Sequence, residues 1–244
     1  MLRRYDTTVT YLGSRPHIAD ILSDLNSSTS LVVVDAVTLN REELSAELNT
    51  TASAEVRLMI RPEVVTEVIS DGAAEYLSWL DSIESQLRGF GAVKVLRLPR
   101  AAEDWEEDVQ QALEFNAFCL VEPAQGMSLI TRDRRCALVR GAVETASSDC
   151  DVQVGGKPST VSAKSVAQAL SVEVGQTIRA EKGKPADLLD AMVTAGMDPG
   201  LSGRIVAAQQ LVVTESSGDE TDGGDALQDF QKYVGALKKR GRNG

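Results

Sequence analysis

Leu31-Val32-Val33-Val34-Asp35-Ala36 is the run that most narrows what this chain can fold into. A continuous β-branched stretch without alternation describes a strand buried on both faces, which requires a largely parallel sheet covered by helices on each side. The carboxylate at its end then stands at the sheet's carboxyl edge, where open α/β proteins bind their ligands. Strand-like segments at 7–12, 55–60, 92–96 and 127–131 alternate with helical patterns at 17–25, 40–48, from Pro62 onward, 73–88 and 103–118. The expected class is therefore α/β, with a mostly parallel central sheet and helices on both faces.

Local signals place the boundaries. Asn40 with Glu43 three residues on reads as a helix start. Pro62 suits a first-turn position, ahead of Val64, Val65 and Val68 as a buried side. The acids of Glu103 to Asp108 suit the first turn of a helix through its dipole. Residues 1–30 read as a strand-helix extension and 31–146 as the central α/β domain. After the turn Gly155-Gly156-Lys157-Pro158-Ser159, residues 157–214 read as a small helical appendage, with helices near 186–195 and 201–213. Residues 215–224 read as an acidic linker and 225–244 as an amphipathic helix with a basic end. That helix carries Leu227, Phe230, Tyr233, Val234 and Leu237 at helical spacing. It either docks on a partner protein or a second copy through residues 225–240, or packs back on its own domain.

Charge and cysteine usage bound the environment. The chain has 36 Asp and Glu against 25 Lys and Arg, a net charge of -11, which a salt-filled cytoplasm would select for solubility. A halophilic source is expected on that ground. Bases still cluster at Arg132 to Arg140 and at Lys238 to Arg242, so a local patch for a polyanion is retained. Cys119, Cys136 and Cys150 lack metal or disulfide spacing and suggest reduced thiols, with Cys119 a small core residue. No run approaches a membrane span and the start lacks the apolar core of a signal peptide, so a cytoplasmic location is expected. Neither GxGxxG nor a P-loop follows any strand, and His17 is the single histidine.

Four acidic positions fall in order: Val34-Asp35-Ala36; Pro62-Glu63-Val64-Val65-Thr66-Glu67; Asp108-Val109-Gln110-Gln111-Ala112; and Leu129-Ile130-Thr131-Arg132-Asp133. Over roughly residues 31–142 this pattern resembles the PIN-domain nucleases. The resemblance implies a PIN-like fold in which Asp35, Glu67, Asp108 and Asp133 form the catalytic carboxylate set. Asp35, Asp108 and Asp133, with Asp104 competing for a place, would hold Mg²⁺ or Mn²⁺. Such hard ions take oxygen ligands, and two of them supply the hydroxide and the charge stabilisation that phosphodiester hydrolysis needs. Thr131, Arg132, Arg134 and Arg135 would contact the substrate, with RNA the expected nucleic acid.

Each residue also has a structural reading. Asp35 can cap the turn after its strand; Glu67 can be a surface helical acid; Asp104 and Asp108 fit an acid-rich first turn; the arginines can be solvated surface. The competing function is a non-catalytic structural or adaptor subunit of a larger assembly, docking through its C-terminal helix.

Overall fold

The computed structural model describes residues 2–5, 9–25, 30–37, 44, 56–62, 71–121, 127–145, 152–154, 159–194, 196–209 and 220–241. The chain divides into two compact units. The first comprises residues 1–63, 75–98 and 133–156, and the second 64–74, 99–132 and 157–244.

In the first unit, β1 (Leu2–Tyr5) and β2 (Val9–Leu12) form an antiparallel pair, and helix α1 (Pro16–Ser23) follows. Then come β3 (Leu31–Asp35) and β4 (Val56–Pro62), helix α2 (Asp71–Arg88) and β5 (Ala92–Leu98). Six strands lie in the order β1-β2-β3-β4-β5-β8, with β8 at Val152–Val154, and every pair from β2 onward is parallel. All five residues of β3 are buried, as its unbroken apolar composition requires. β1 and β2 thus belong to the same sheet as β3.

Side-chain alternation separates the two faces. Val9, Tyr11, Leu31, Val33, Leu58, Ile60, Leu96 and Leu98 share one core with Ile18, Ala19, Ile21 and Leu22 of α1. Val139, Ala142 and Val143 of a later helix complete it. Arg61, on the opposite side of β4, donates to Asp81 and Glu84 of α2 at 2.9 and 3.1 Å. Helices therefore cover both faces.

The second unit starts with a 3₁₀ turn (Ala102–Trp105), α3 (Glu106–Phe115) and β6 (Ala117–Val121). Asn116, at φ 55°, ends α3 in the left-handed region and turns the chain into β6. Next are β7 (Met127–Leu129) and α4 (Arg132–Glu144), of which residues from Asp133 onward belong to the first unit. The rest is β9 (Ser159–Val161), α5 (Ala163–Val174), β10 (Arg179–Gly183), α6 (Pro185–Thr194), α7 (Pro199–Gln209) and α8 (Glu220–Gly241). β6 pairs with β10 in parallel and β7 with β9 antiparallel, as two small sheets. One core joins Trp105, Val109, Phe118, Leu120, Val166, Leu170, Phe230, Tyr233 and Val234.

Several expectations change here. Pro62 closes β4 opposite Leu98 and does not open a helix, because a parallel strand can end on a residue that lacks an N–H. The helix expected through residue 118 stops at Phe115, and Cys119 lies in a strand. The appendage is not purely helical: it carries β9 and β10 as well as a further helix, α5. Of the acidic linker, Glu220 to Gly224 form the first turn of α8. The segments 40–43 and 63–68, with Glu67, lie outside the described residues.

Candidate functional site

The carboxyl ends of β2 and β3 meet at Asp35, which is fully buried. Arg15, at the N-cap of α1, donates from Nε to Asp35 Oδ2 at 2.6 Å and from Nη2 to Oδ1 at 2.8 Å. The Tyr11 hydroxyl donates to Oδ2 at 2.9 Å, and the Val37 N–H to Oδ1 at 3.2 Å. Asp35 thus makes the turn-capping contact foreseen for it, and it also anchors a buried, bidentate ion pair that spans two strand ends. Burial first, and then the Asp35 charge, hold the Tyr11 phenol far above its ordinary range. A phenol so placed does not serve as an acid or base at neutral pH.

Gly13 begins the turn between β2 and α1. A Cβ there would lie 2.5 Å from the Tyr11 hydroxyl and 2.7 Å from Asp35 Cβ, so no other residue fits without displacing the cluster. Ala19 of α1 is buried in the core that the helix shares with the sheet. Pro16 takes the first helical position and removes one N–H from the helix N-terminus.

The expected metal site does not form. Among the described residues, no three of His, Cys, Asp or Glu stand close enough together to hold an ion. Asp35 is consumed by Arg15, Tyr11 and Val37. Asp104 Oδ2 accepts the Ala101 N–H at 2.9 Å and secures the 3₁₀ turn. Asp108 is half-buried on α3, and Asp133 is exposed in the first turn of α4, where the dipole favours it. Of the presumed substrate contacts, Arg132 grips Asp229, Arg135 is 1% exposed, Arg134 is exposed and Thr131 is half-buried. Burial first, then the charges of Glu181 and Asp108, push the Cys119 thiol up, although Cys119 is half-buried and not the core residue expected.

No family model and no curated protein matches this chain. Solved structures do. An NADPH-dependent quinone oxidoreductase from Escherichia coli is similar at TM-score 0.58 and 15% identity, over 90% of this chain and 79% of that one. A nucleoside-diphosphate-sugar epimerase from Staphylococcus aureus is similar at TM-score 0.57 and 11% identity, over 89% and 79%. A triphenylmethane reductase from a Citrobacter species is similar at 0.52 and 14%, over 90% and 94%. These are Rossmann-type folds, so the PIN resemblance, the nuclease function and the Mg²⁺ or Mn²⁺ cofactor are overturned. The short acidic motifs sit on a different arrangement of strands. The adaptor reading finds no support in these similarities either. The α8 stripe is buried in its own unit.

A dinucleotide is the group this fold implies, and its fit can be judged at the turn. Gly13 and Ala19 reproduce two of the backbone features of a phosphate-binding turn. The rest does not fit. Doubly wound dinucleotide folds carry three further parallel strands beyond the first one, for the second nucleotide half. Among the described residues, β1 alone stands outside β2, antiparallel, with Leu2 opposite Leu12. The crevice between the ends of β2 and β3, where a pyrophosphate would approach, is bridged by Arg15 and Asp35. Arg15 and Tyr11 escaped notice in the sequence, where the one signal was a strand, a glycine turn and a helix leading to Asp35, 20 residues beyond Arg15. What the chain shares with the reductases and epimerases is their fold.

Proposed function

We propose that this chain is a small-molecule-binding protein on a reductase-type scaffold, working without a dinucleotide in the scaffold's usual seat. The carrying observation is the Asp35 cluster. A neutral ion pair stands where the fold would present positive charge to a pyrophosphate, and Asp35 is 0% and Arg15 14% exposed. Turning Arg15 toward a phosphate would leave a buried carboxylate uncompensated, at a cost of about 3–5 kcal/mol. Pro16 weakens the helix N-terminus further as an anion seat.

NADPH-dependent oxidoreduction, the activity that the name of the similar quinone oxidoreductase carries, is the second reading. Gly13 and Ala19 favour it. A nicotinamide cofactor would supply hydride there. Fluorescence titration with NADPH and NADH decides between the two. The first reading expects no saturable binding below about 1 mM. Micromolar binding, weakened by Arg15→Ala and accompanied by quinone-dependent NADPH oxidation, would establish the second.

A further inference from the structure

Strand β10 is an edge of the second unit, and among the described residues no strand pairs with its outer side. It lies parallel to β6 with Arg179 opposite Ala117. The Arg179 N–H donates to the Asn116 carbonyl at 2.9 Å, so the peptide groups of Arg179 and Glu181 turn toward β6. Successive residues of a strand present these groups to opposite edges, and those of Ala180 and Lys182 therefore turn outward. Residues 179–182 are all exposed. An outward row of N–H and C=O groups is a template for a further strand.

The side chains decide which strand fits. Arg179 and Glu181 share one face of β10, 3.3 Å apart, with 69% and 48% of their side chains exposed. Ala180 points to the other face, where it lines a groove of about 540 Å³ with Lys164, Gln168 and Val172 of α5 and with Thr177. Val172 is an apolar side chain left 70% exposed. Charges on an edge usually discourage pairing. Here their order discourages only the wrong registers. With a second β10 antiparallel and Ala180 opposite Ala180, the outward groups exchange two hydrogen bonds and Arg179 falls opposite Glu181 on both sides of the axis. Those flanking pairs are of the non-hydrogen-bonded kind, in which side chains approach most closely. The next register that the outward groups allow, Ala180 opposite Lys182, sets Glu181 against Glu181 and repels.

We infer that a second copy of this chain adds to the outer edge of β10, forming a two-fold dimer about Ala180. The contact is self-complementary, each Arg179 meeting the Glu181 of the other copy, as an isologous interface requires. Residues directly opposite share a face, so the two grooves, each with its Val172, open on the same side of the joined sheet. Ile178, opposite Lys182, already donates its N–H to Ser171 Oγ at 2.8 Å. The ladder therefore ends after the central pair, and the association is reversible. The dimer is independent of the ligand-binding reading above.

Sedimentation velocity of the full chain tests this from about 1 to 500 µM, where the wild type is expected to pass from monomer to dimer. An ionic strength of about 0.3 M screens the repulsion between two chains of net charge -11. Arg179→Glu and Glu181→Arg each set like charges across both flanking pairs and should weaken the dimer at least about tenfold. An equimolar mixture of the two variants should regain it as a heterodimer. Both side chains are exposed, so neither change reaches the core. Ala180→Pro removes an outward N–H and leaves the pairing with β6, and it should weaken the dimer too. If that variant unfolds, the charge variants and their mixture decide alone. A wild type still monomeric at about 500 µM overturns the dimer and leaves the edge to a foreign strand. A dimer that both charge variants retain lies on another surface and overturns it as well, and so does a mixture no more associated than its components.

Discussion

At the scale of single residues, Asp35 holds the first unit's edge together. Removing its charge leaves Arg15 largely buried without its carboxylate, so Asp35→Ala is expected to lower unfolding free energy by about 3–5 kcal/mol. The double change Asp35→Leu with Arg15→Met should recover much of that loss, since no uncompensated charge remains. Urea denaturation of the three variants measures the coupling, and an Asp35→Ala loss that the double change leaves in place would contradict this account. Gly13→Ala should destabilise through a different cause, overlap with the Tyr11 ring and Asp35 Cβ. That overlap is relieved only by moving the cluster, at about 1–3 kcal/mol.

At the scale of elements, α8 is a structural part of the second unit. Phe230 is fully buried, and Phe230→Ala is expected to cost about 3–5 kcal/mol, read as a fall in melting temperature. Lys238 on the same helix donates to the carbonyls of Glu173 and Val174, closing the C-terminal end of α5. Asp229 ties α8 to Arg132. Burial alone would raise its carboxyl, but hydrogen bonds from the Arg132 side chain and backbone N–H outweigh that and hold it below its ordinary range. A carboxyl lower in the folded than the unfolded chain stabilises above the ordinary range, and the contribution is lost as pH falls through the folded value. Asp229→Asn should therefore be less stable than wild type at pH 7, with the gap narrowing below about pH 4. A gap unchanged across that window would show that the Arg132 contact is not what Asp229 contributes.

At the scale of the whole molecule, the net charge of -11 predicts dependence on salt. Thermal unfolding followed from about 0.1 M to 3 M salt should show a rising midpoint, and a flat profile would remove the halophilic reading. The class of fold was legible without coordinates: Leu31 to Asp35 could only be a doubly covered strand, and the strand–helix alternation around it required a mostly parallel sheet. Burial and periodicity are local consequences of composition, so the sequence determined them. The site was not legible, because it depends on which strands are neighbours. Asp35, Glu67, Asp108 and Asp133 look like a metal set only while their elements are free to be arranged. Once β2, with Tyr11 and the turn to Arg15, lies beside β3, the buried carboxylate takes the nearest guanidinium, 20 residues away in sequence. Strand order decided that, and strand order is fixed by long-range packing on each face of the sheet, which no short motif encodes.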